Sequence, residues 1–144
     1  MYNIIPDSAL PNHLQMIFGG YSNSGIQYTF HLYKNDVTPD QSTVLGDFME
    51  LDTGTVPDYL PIVATGWGPA FLSGHVETYE ADLMTWYFAA GATTAVYVYG
   101  VYVTRNDGAF MWAQRFVSPY NINVGSYDEI NYLPRFSDNS KYAS

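Results

Sequence analysis

The sequence predicts an all-β protein: a single antiparallel β-sandwich, jelly-roll-like, with one short N-terminal helix. Valine, isoleucine, tyrosine and phenylalanine recur in short runs, and these residues favour half-buried strands. Glycine, proline and asparagine separate the runs at the spacing of antiparallel turns. The 144 residues suit one domain that can bury a core of its own.

The N-terminal helix is predicted in the stretch PDSALPNHLQMIFGG, residues 6–20. Asp7 or Ser8 can cap it, and Pro11 is tolerated only in its first turn. The closing glycine pair then ends it. Apolar residues at helical spacing form one stripe: Leu10, Leu14, Ile17 and Phe18.

A half-buried strand is predicted next, in IQYTFHLY, because apolar and polar residues alternate there. The connector TPDQSTVLGDF can hold one helical turn, with Thr38 as its cap and Pro39 in the first position. Prolines and glycines break residues 49–71 so often that only short edge strands fit. Residues 62–64 are the best candidates to pair there.

The second half of the chain is predicted to be mostly strand. HVETYEADLMTWYFAA reads as one longer strand, or two joined by a bulge, with Met84, Trp86 and Phe88 on one face. GATT then turns the chain into a hairpin, and SPYNINVGSYDEINYLPRF adds one or two short strands. Residues 1–6 and 118–144 are expected to be extended arms that become ordered on a neighbour.

A β-hairpin over residues 95–116 is the strongest local prediction, with the sequence NDG as its turn. A type I turn with Gly108 as a left-handed bulge would place Tyr102 opposite Trp112. A tight two-residue turn would instead place Val103 opposite Trp112, and such a slip exchanges the faces of every side chain. We favour the bulged turn because it needs only one residue at positive φ, and a glycine stands there.

The charge balance excludes several classes of partner. The formal net charge is -9, and only five lysine and arginine residues are scattered along the chain, so we expect neither nucleic acid nor an anionic membrane to bind. The absence of cysteine excludes disulfides, zinc thiolates and thiol catalysis. We see no basic, apolar leader at the N-terminus and no apolar run long enough to span a membrane.

No catalytic, cofactor-binding or metal-binding residue is predicted, so we expect a protein that is not an enzyme and has no cofactor. The stretch HVETYEAD gathers one histidine and three carboxylates. On a strand, His75 and Glu77 project to one face, whereas Glu80 and Asp82 project to the other. The serines lack a nucleophile-elbow motif.

Histidines and loop carboxylates offer weaker signals. For His31, a satisfied hydrogen bond on a strand face is the simplest interpretation, and His13 has no partner visible in sequence. Several carboxylates in the loop-rich region could bind calcium, although their spacing matches no calcium loop: Asp36, Asp40, Asp47, Glu50, Asp52 and Asp58. Calcium binding therefore stays open.

An interaction surface is the better prediction, because fourteen tyrosines accompany few charged residues, and tyrosine suits interfaces that are part dry and part wet. Arg115 can stack on Tyr99, pair with a carboxylate of the acidic loop, or extend to water. The candidate interface residues are Tyr97, Tyr99, Tyr102, Trp112, Arg115 and Trp67.

In combination, LYKNDVTP, LGDF, TGW, VYGVYVT and WAQRF resemble landmarks of small structural proteins from tailed bacteriophages, particularly cyanophages, over about residues 32–116. The resemblance implies a non-catalytic β-sandwich component of the virion, present in many symmetric copies.

With the acidic, tyrosine-rich composition, the resemblance leads us to expect a capsid cement or decoration protein. It would be made in the host cytoplasm, bind the capsid exterior through the major capsid protein, and self-associate as a homotrimer or another homo-oligomer. A tail or baseplate protein is the first alternative. A carbohydrate-binding sandwich that uses Trp67, Trp86 or Trp112 is the second.

Overall fold

A computed structural model describes residues 4, 6–9, 27–65, 71–73, 76–80 and 82–138, with backbone alone at residues 65, 71–73, 76–80 and 135–138. Strands dominate this part of the chain, which confirms the all-β prediction. The strands are β1 Gln27–Tyr33, β2 Ile62–Thr65, β3 Phe71–Ser73, β4 Val76–Glu80, β5 Met84–Phe88, β6 Gly91–Arg105, β7 Phe110–Val124, β8 Asp128–Tyr132 and β9 Arg135–Asp138. A single 3₁₀ turn, Leu45–Asp47, is the helical element of the described residues.

Every strand pair is antiparallel. The largest sheet has the order β2-β1-β6-β7, and smaller sheets have the orders β3-β4-β9 and β5-β8. Strands β1 and β6 are therefore interior strands, paired on both sides, whereas β7 lies at an edge. Within the part of the chain that the structure describes, no helix is long and apolar enough to cross a membrane.

The main hydrophobic core lies between the four-stranded sheet and the β5-β8 pair. Trp112 on β7 is 1% exposed and meets Phe30 of β1 edge to face, at 6.0 Å between ring centroids. From β8, Tyr132 approaches Phe30 at 6.3 Å and donates its hydroxyl to Gln114 at 2.7 Å. Strands β5 and β8 contribute five buried residues to the main core: Met84, Trp86, Phe88, Ile130 and Tyr132. The shared burial of Met84, Trp86 and Phe88 confirms the predicted face.

A second hydrophobic cluster covers the opposite face of the four-stranded sheet. Successive residues of a strand point to opposite faces, so Val101 and Val103 enter the main core while Tyr102 enters the second cluster. Phe48 covers Tyr102, at 5.0 Å between ring centroids. The buried members of this cluster are Ala9, Tyr33, Tyr102, Phe110 and Ala113.

The β6-β7 hairpin has the turn that we favour but not the register. The Gly108 N–H donates to the Arg105 carbonyl at 2.8 Å, and Gly108 has φ +86°, as a bulged type I turn requires. The favoured register is wrong from Val103 onward, because Met111 is an extra residue that places Val103 opposite Trp112, the pairing expected for the alternative turn. A bulge of this kind puts two neighbours on one face, and both Met111 and Trp112 enter the main core.

Three connecting segments differ from expectation. The helical turn of the connector lies at Leu45–Asp47 rather than at Thr38, because the Asp47 carboxylate accepts the Val44 N–H at 2.9 Å and caps the turn there. The expected long strand is divided into β4 and β5, which belong to different sheets. GATT begins strand β6, and the turn precedes it at residues 89–90.

Other predictions fall on the chain ends and the edge. Residues 62–64 pair with β1, as predicted. Residues 7–9 form a turn, while residues 10–20 of the predicted helix lie outside the described residues. The expected C-terminal arm is paired within the chain in β7, β8 and β9 as far as residue 138. Ile4, in the expected N-terminal arm, exchanges two backbone hydrogen bonds with Ala113 at 3.0 and 3.1 Å.

Candidate interaction surface

The half of the β6-β7 hairpin away from its turn is free of charged side chains. Of the fourteen acidic residues in the chain, Asp107 alone lies between residues 91 and 127, and it sits in the turn. Val98 and Ile122 are fully buried on the inner side of this half. Its outer side therefore forms an uncharged surface on a protein of net charge -9.

Tyrosines and a valine dominate this outer surface. Tyr97 is 51% exposed and lies directly opposite Asn121 in the strand pairing. The ring of Tyr99 is 6.4 Å from that of Tyr97, measured between centroids. Val117 is 88% exposed. Tyr120 is 40% exposed, but it lies opposite the buried Val98 and so belongs to the inner side. We call Tyr97, Tyr99, Val117 and Asn121 the neutral hairpin surface.

Arg115 lies at one border of this surface, beside Tyr99. Its guanidinium lies 5.1 Å from the centre of the Tyr99 ring, pairs with Asp36 at 2.6 Å and donates to the Val37 carbonyl at 3.0 Å. Of the alternatives considered for Arg115, the aromatic stack and the carboxylate pair are both present. Arg115 ties β7 to the loop after β1 and orients Tyr99, so its main contacts lie within the chain.

The other candidate interface residues lie elsewhere. Tyr102 is 7% exposed and Trp112 is 1% exposed, so neither can contact a partner in this fold. Tyr102 is buried because Phe48 and the rest of the second cluster cover its side of the sheet. Trp67 lies outside the described residues. The candidate interface is accordingly narrower than the sequence suggests.

Sequence reasoning missed a polar cluster that joins β1, β6 and the segment after the 3₁₀ turn. His31 Nδ1 lies 2.8 Å from Glu50 Oε1, and its Nε2 lies 2.9 Å from the Thr104 hydroxyl. The same Glu50 oxygen accepts the Tyr59 hydroxyl at 2.8 Å. The Tyr59 oxygen in turn accepts the Leu32 N–H at 3.1 Å. His31 is thus satisfied on its strand face, as we expected, but its partners are distant in sequence.

Burial determines the electrostatics of this cluster. Burial raises the pKa of Tyr59 well above its ordinary value, and the neighbouring Glu50 carboxylate raises it further. Burial and then Glu50 also raise the pKa of Tyr102. Both hydroxyls therefore stay protonated and can donate to Glu50 at neutral pH, which gives the carboxylate several donors in a half-buried position.

Glu50, His31 and Thr104 stand in the order of a general-base relay, so we asked which backbone N–H groups lie beside them. Acyl transfer needs N–H donors that converge on the developing oxyanion. His31 and Thr104 lie on β1 and β6, which pair with each other, and the Leu32 N–H beside His31 donates to the Tyr59 hydroxyl. The cluster can hold the segment around Glu50 against the sheet, and we assign it that positioning role.

The carboxylates considered for calcium are engaged in local contacts. Asp52 pairs with Lys34 and accepts the Thr55 N–H at 2.8 Å. Asp40 accepts from Ser42 at 2.7 Å, and Asp58 accepts the Ala90 N–H at 3.1 Å. Among the described residues, no three histidine or carboxylate side chains come together as metal ligands. His75 lies outside that part of the chain, and β4 is described by its backbone alone.

Comparison with known proteins gives no relative. No family model matches the chain, no curated protein matches its sequence, and no solved structure matches its fold.

Proposed function

We propose that this protein is a non-catalytic structural protein of a tailed-phage virion. In this proposal it is a cement or decoration protein that binds the outside of the major capsid protein shell and self-associates as a homotrimer or another homo-oligomer. The observation that carries the proposal is the neutral hairpin surface on an otherwise strongly acidic chain. The motif resemblance over residues 32–116 supports the virion location.

Charge explains why this surface is the best candidate for contact. Copies that each carry a net charge of -9 repel one another, so close packing favours a surface without acidic residues. Exposed tyrosines give apolar area with a polar tip, which suits contacts that stay partly wet. In a symmetric shell, many weak contacts of this kind add up to stable attachment.

We also infer a β-sandwich, jelly-roll-like architecture for the fold. The shared main core supports it, because side chains from β5 and β8 lie against those from β1, β6 and β7. Two packed layers with one inner core are the usual way for such a chain to bury its apolar strand faces.

The experiment is reconstitution on shells of the major capsid protein encoded in the same genome. Shells are isolated by density gradient with added protein, and cryo-electron microscopy gives the position and the number of copies. We expect symmetric binding on the outer surface. Tyr97→Lys should abolish binding, while Val63→Lys, the same charge change at another site that is 54% exposed, should preserve it.

Two outcomes would contradict the proposal. Equal binding of both lysine variants would remove the neutral hairpin surface from the contact. Recovery of the protein with purified tails, in few copies per particle, would favour the tail or baseplate alternative.

Two of the three tryptophans considered for carbohydrate binding are buried. Trp86 is 3% exposed, and its indole N–H donates to the Leu60 carbonyl at 3.0 Å. Trp112 is 1% exposed, and Trp67 lies outside the described residues. Trp86 and Trp112 both pack in the main core, so neither offers a ring face to a sugar.

A further inference from the structure

The outward face of the β5-β8 pair carries an exposed aromatic and carboxylate surface that is used neither by the core nor by the neutral hairpin surface. Trp86 on β5 and Ile130 on β8 point inward. Because side chains alternate along a strand, the residues next to them on each strand face outward. On that face Tyr87 lies directly opposite Glu129, and Thr85 lies opposite Asn131. We call Thr85, Tyr87, Tyr127, Glu129 and Asn131 the Glu129 surface.

Two tyrosines of this surface are open to solvent. Tyr87 is 61% exposed and Tyr127 is 59% exposed, and each lies next to the same carboxylate, Tyr87 across the strand pair and Tyr127 along the chain. Their π-faces are electron-rich and attract cations. The face therefore combines accessible rings with a formal negative charge.

Hydrogen bonds hold the Glu129 carboxylate in place. The Tyr127 hydroxyl donates to Glu129 Oε2 at 2.8 Å, and Asn131 Nδ2 approaches Oε1 at 3.4 Å. Asn131 is itself held, because its Oδ1 accepts the Thr85 hydroxyl at 2.7 Å. Each carboxylate oxygen keeps a further lone pair that faces no internal donor in these contacts. Glu129 is thus oriented before any ligand arrives.

Glu129 also lacks a cation of its own among the side chains that the structure describes. Their three basic residues are paired with other carboxylates: Lys34 with Asp52, Arg105 with Asp107, and Arg115 with Asp36. The whole chain carries a net charge of -9. Charge complementarity therefore points to a cationic ligand.

We propose that the Glu129 surface binds an arginine side chain of a partner protein. The guanidinium would lie against the rings of Tyr87 and Tyr127 and donate to the free lone pairs of Glu129. Arginine fits better than lysine, because its planar fork matches a carboxylate and its face stacks on aromatic rings, whereas an ammonium is compact and strongly hydrated. This inference does not require the virion location, since it concerns another sheet and a ligand in solution.

The test is an NMR titration of the intact protein with a short glycine- and serine-flanked arginine peptide. A matched peptide with citrulline has the same shape without the charge. We expect saturable shifts at Tyr87, Tyr127 and Glu129 with the arginine peptide, and binding at least about tenfold weaker with citrulline. Added salt should weaken the arginine binding, because an exposed ion pair is screened.

Variants locate the site. Glu129→Gln keeps the shape of the side chain and should reduce affinity as strongly as the citrulline substitution does, and Tyr87→Ala should also weaken binding. Tyr97→Ala is the matched control and should leave arginine binding unchanged. Tyr97 is also an exposed strand tyrosine, but the residue opposite it is an asparagine rather than a carboxylate. Equal affinity for both peptides would overturn the proposal. So would unchanged binding by Glu129→Gln, or the same shifts induced by neutral methyl glycosides alone.

Discussion

The His31 ring lies flat against the Tyr102 ring, with 4.6 Å between the ring centroids and 7° between the planes. The two residues are direct neighbours in the pairing of β1 with β6. Phe48 also stacks on Tyr102, so this tyrosine is held by the segment that carries Glu50. The stack therefore links the polar cluster to the second hydrophobic cluster.

Replacing His31 should destabilise the fold more than replacing a single hydrogen-bond partner. His31→Ala removes the stack and the hydrogen bonds to both Glu50 and Thr104, so we expect the free energy of unfolding to fall by about 2–3 kcal/mol. Thr104→Val removes only one of the bonds and should cost about 1 kcal/mol. Urea unfolding followed by circular dichroism measures both, and equal losses would exclude a role for the stack and the Glu50 bond.

Gly100 should tolerate no side chain. A Cβ there would lie 2.2 Å from the Gln114 carbonyl oxygen and 2.6 Å from the Tyr33 hydroxyl. Gly100→Ala should therefore lower the free energy of unfolding by about 3 kcal/mol or prevent folding. Gly46→Ala is the matched control, since no atom lies within 4 Å of its added Cβ, and it should change stability by less than about 0.5 kcal/mol. Similar effects of the two variants in thermal unfolding would contradict the packing around Gly100.

The hairpin shows how far local sequence rules reach in this chain. The NDG turn and the positive φ of Gly108 follow from residue preferences, and both are present. The extra residue at Met111 follows from packing, because it lets Met111 and Trp112 both enter the main core. Nothing in the local sequence distinguishes that bulge from regular pairing, so the register, and with it the face on which Trp112 lies, could not be predicted.

In the candidate sites, too, local sequence predicts the face on which a residue lies, whereas strand pairing determines its partners. Alternation along β1 places His31 on the polar face, as the sequence indicates. Its partners, Glu50 and Thr104, are 19 and 73 residues away, and only the strand pairing brings them together. The exposed position of Tyr97 agrees with the sequence, whereas the Glu129 surface depends on the pairing of β5 with β8.

Arg115 should contribute modestly to stability and strongly to the position of Tyr99. Its side chain is 27% exposed and that of Asp36 is 71% exposed, so solvent screens the pair. We expect Arg115→Ala to lower the free energy of unfolding by about 1 kcal/mol and to shift the Tyr99 ring resonances. Arg115→Lys should retain part of the ion pair but lose the planar stack. Unchanged Tyr99 resonances in the alanine variant would exclude the stack in solution.

Acid should weaken the contact between Lys34 and Asp52. The hydrogen bond from Lys34, followed by that from the Thr55 N–H, lowers the pKa of Asp52 to about 2. In the unfolded chain this carboxyl has a pKa of about 3.9, so the stability that Asp52 contributes is full above that pH and is lost as the pH falls through about 2. The difference in unfolding free energy between the wild type and Asp52→Asn should therefore shrink as the pH falls from about 5 to about 2. Lys34→Met should give the same trend, and a pH-independent difference would contradict the pairing.

Alkali should reveal the buried tyrosines. Burial raises the pKa of Tyr33, Tyr59, Tyr102 and Tyr132 above the ordinary tyrosine value. In the unfolded chain these hydroxyls lose their protons at about pH 10. Above that pH the folded state binds more protons than the unfolded state, so the stability of the fold decreases as the pH rises further.

We therefore expect two phases in an alkaline titration of the fourteen tyrosines, followed by near-ultraviolet absorbance. The second phase should coincide with the loss of the far-ultraviolet circular dichroism signal, because the buried hydroxyls ionise only as the strands separate. Tyr59→Phe removes one such hydroxyl together with its bond to Glu50, so it should be less stable at neutral pH yet lose stability less steeply in alkali. Complete ionisation of all tyrosines while the dichroism stays native would contradict the burial of this set.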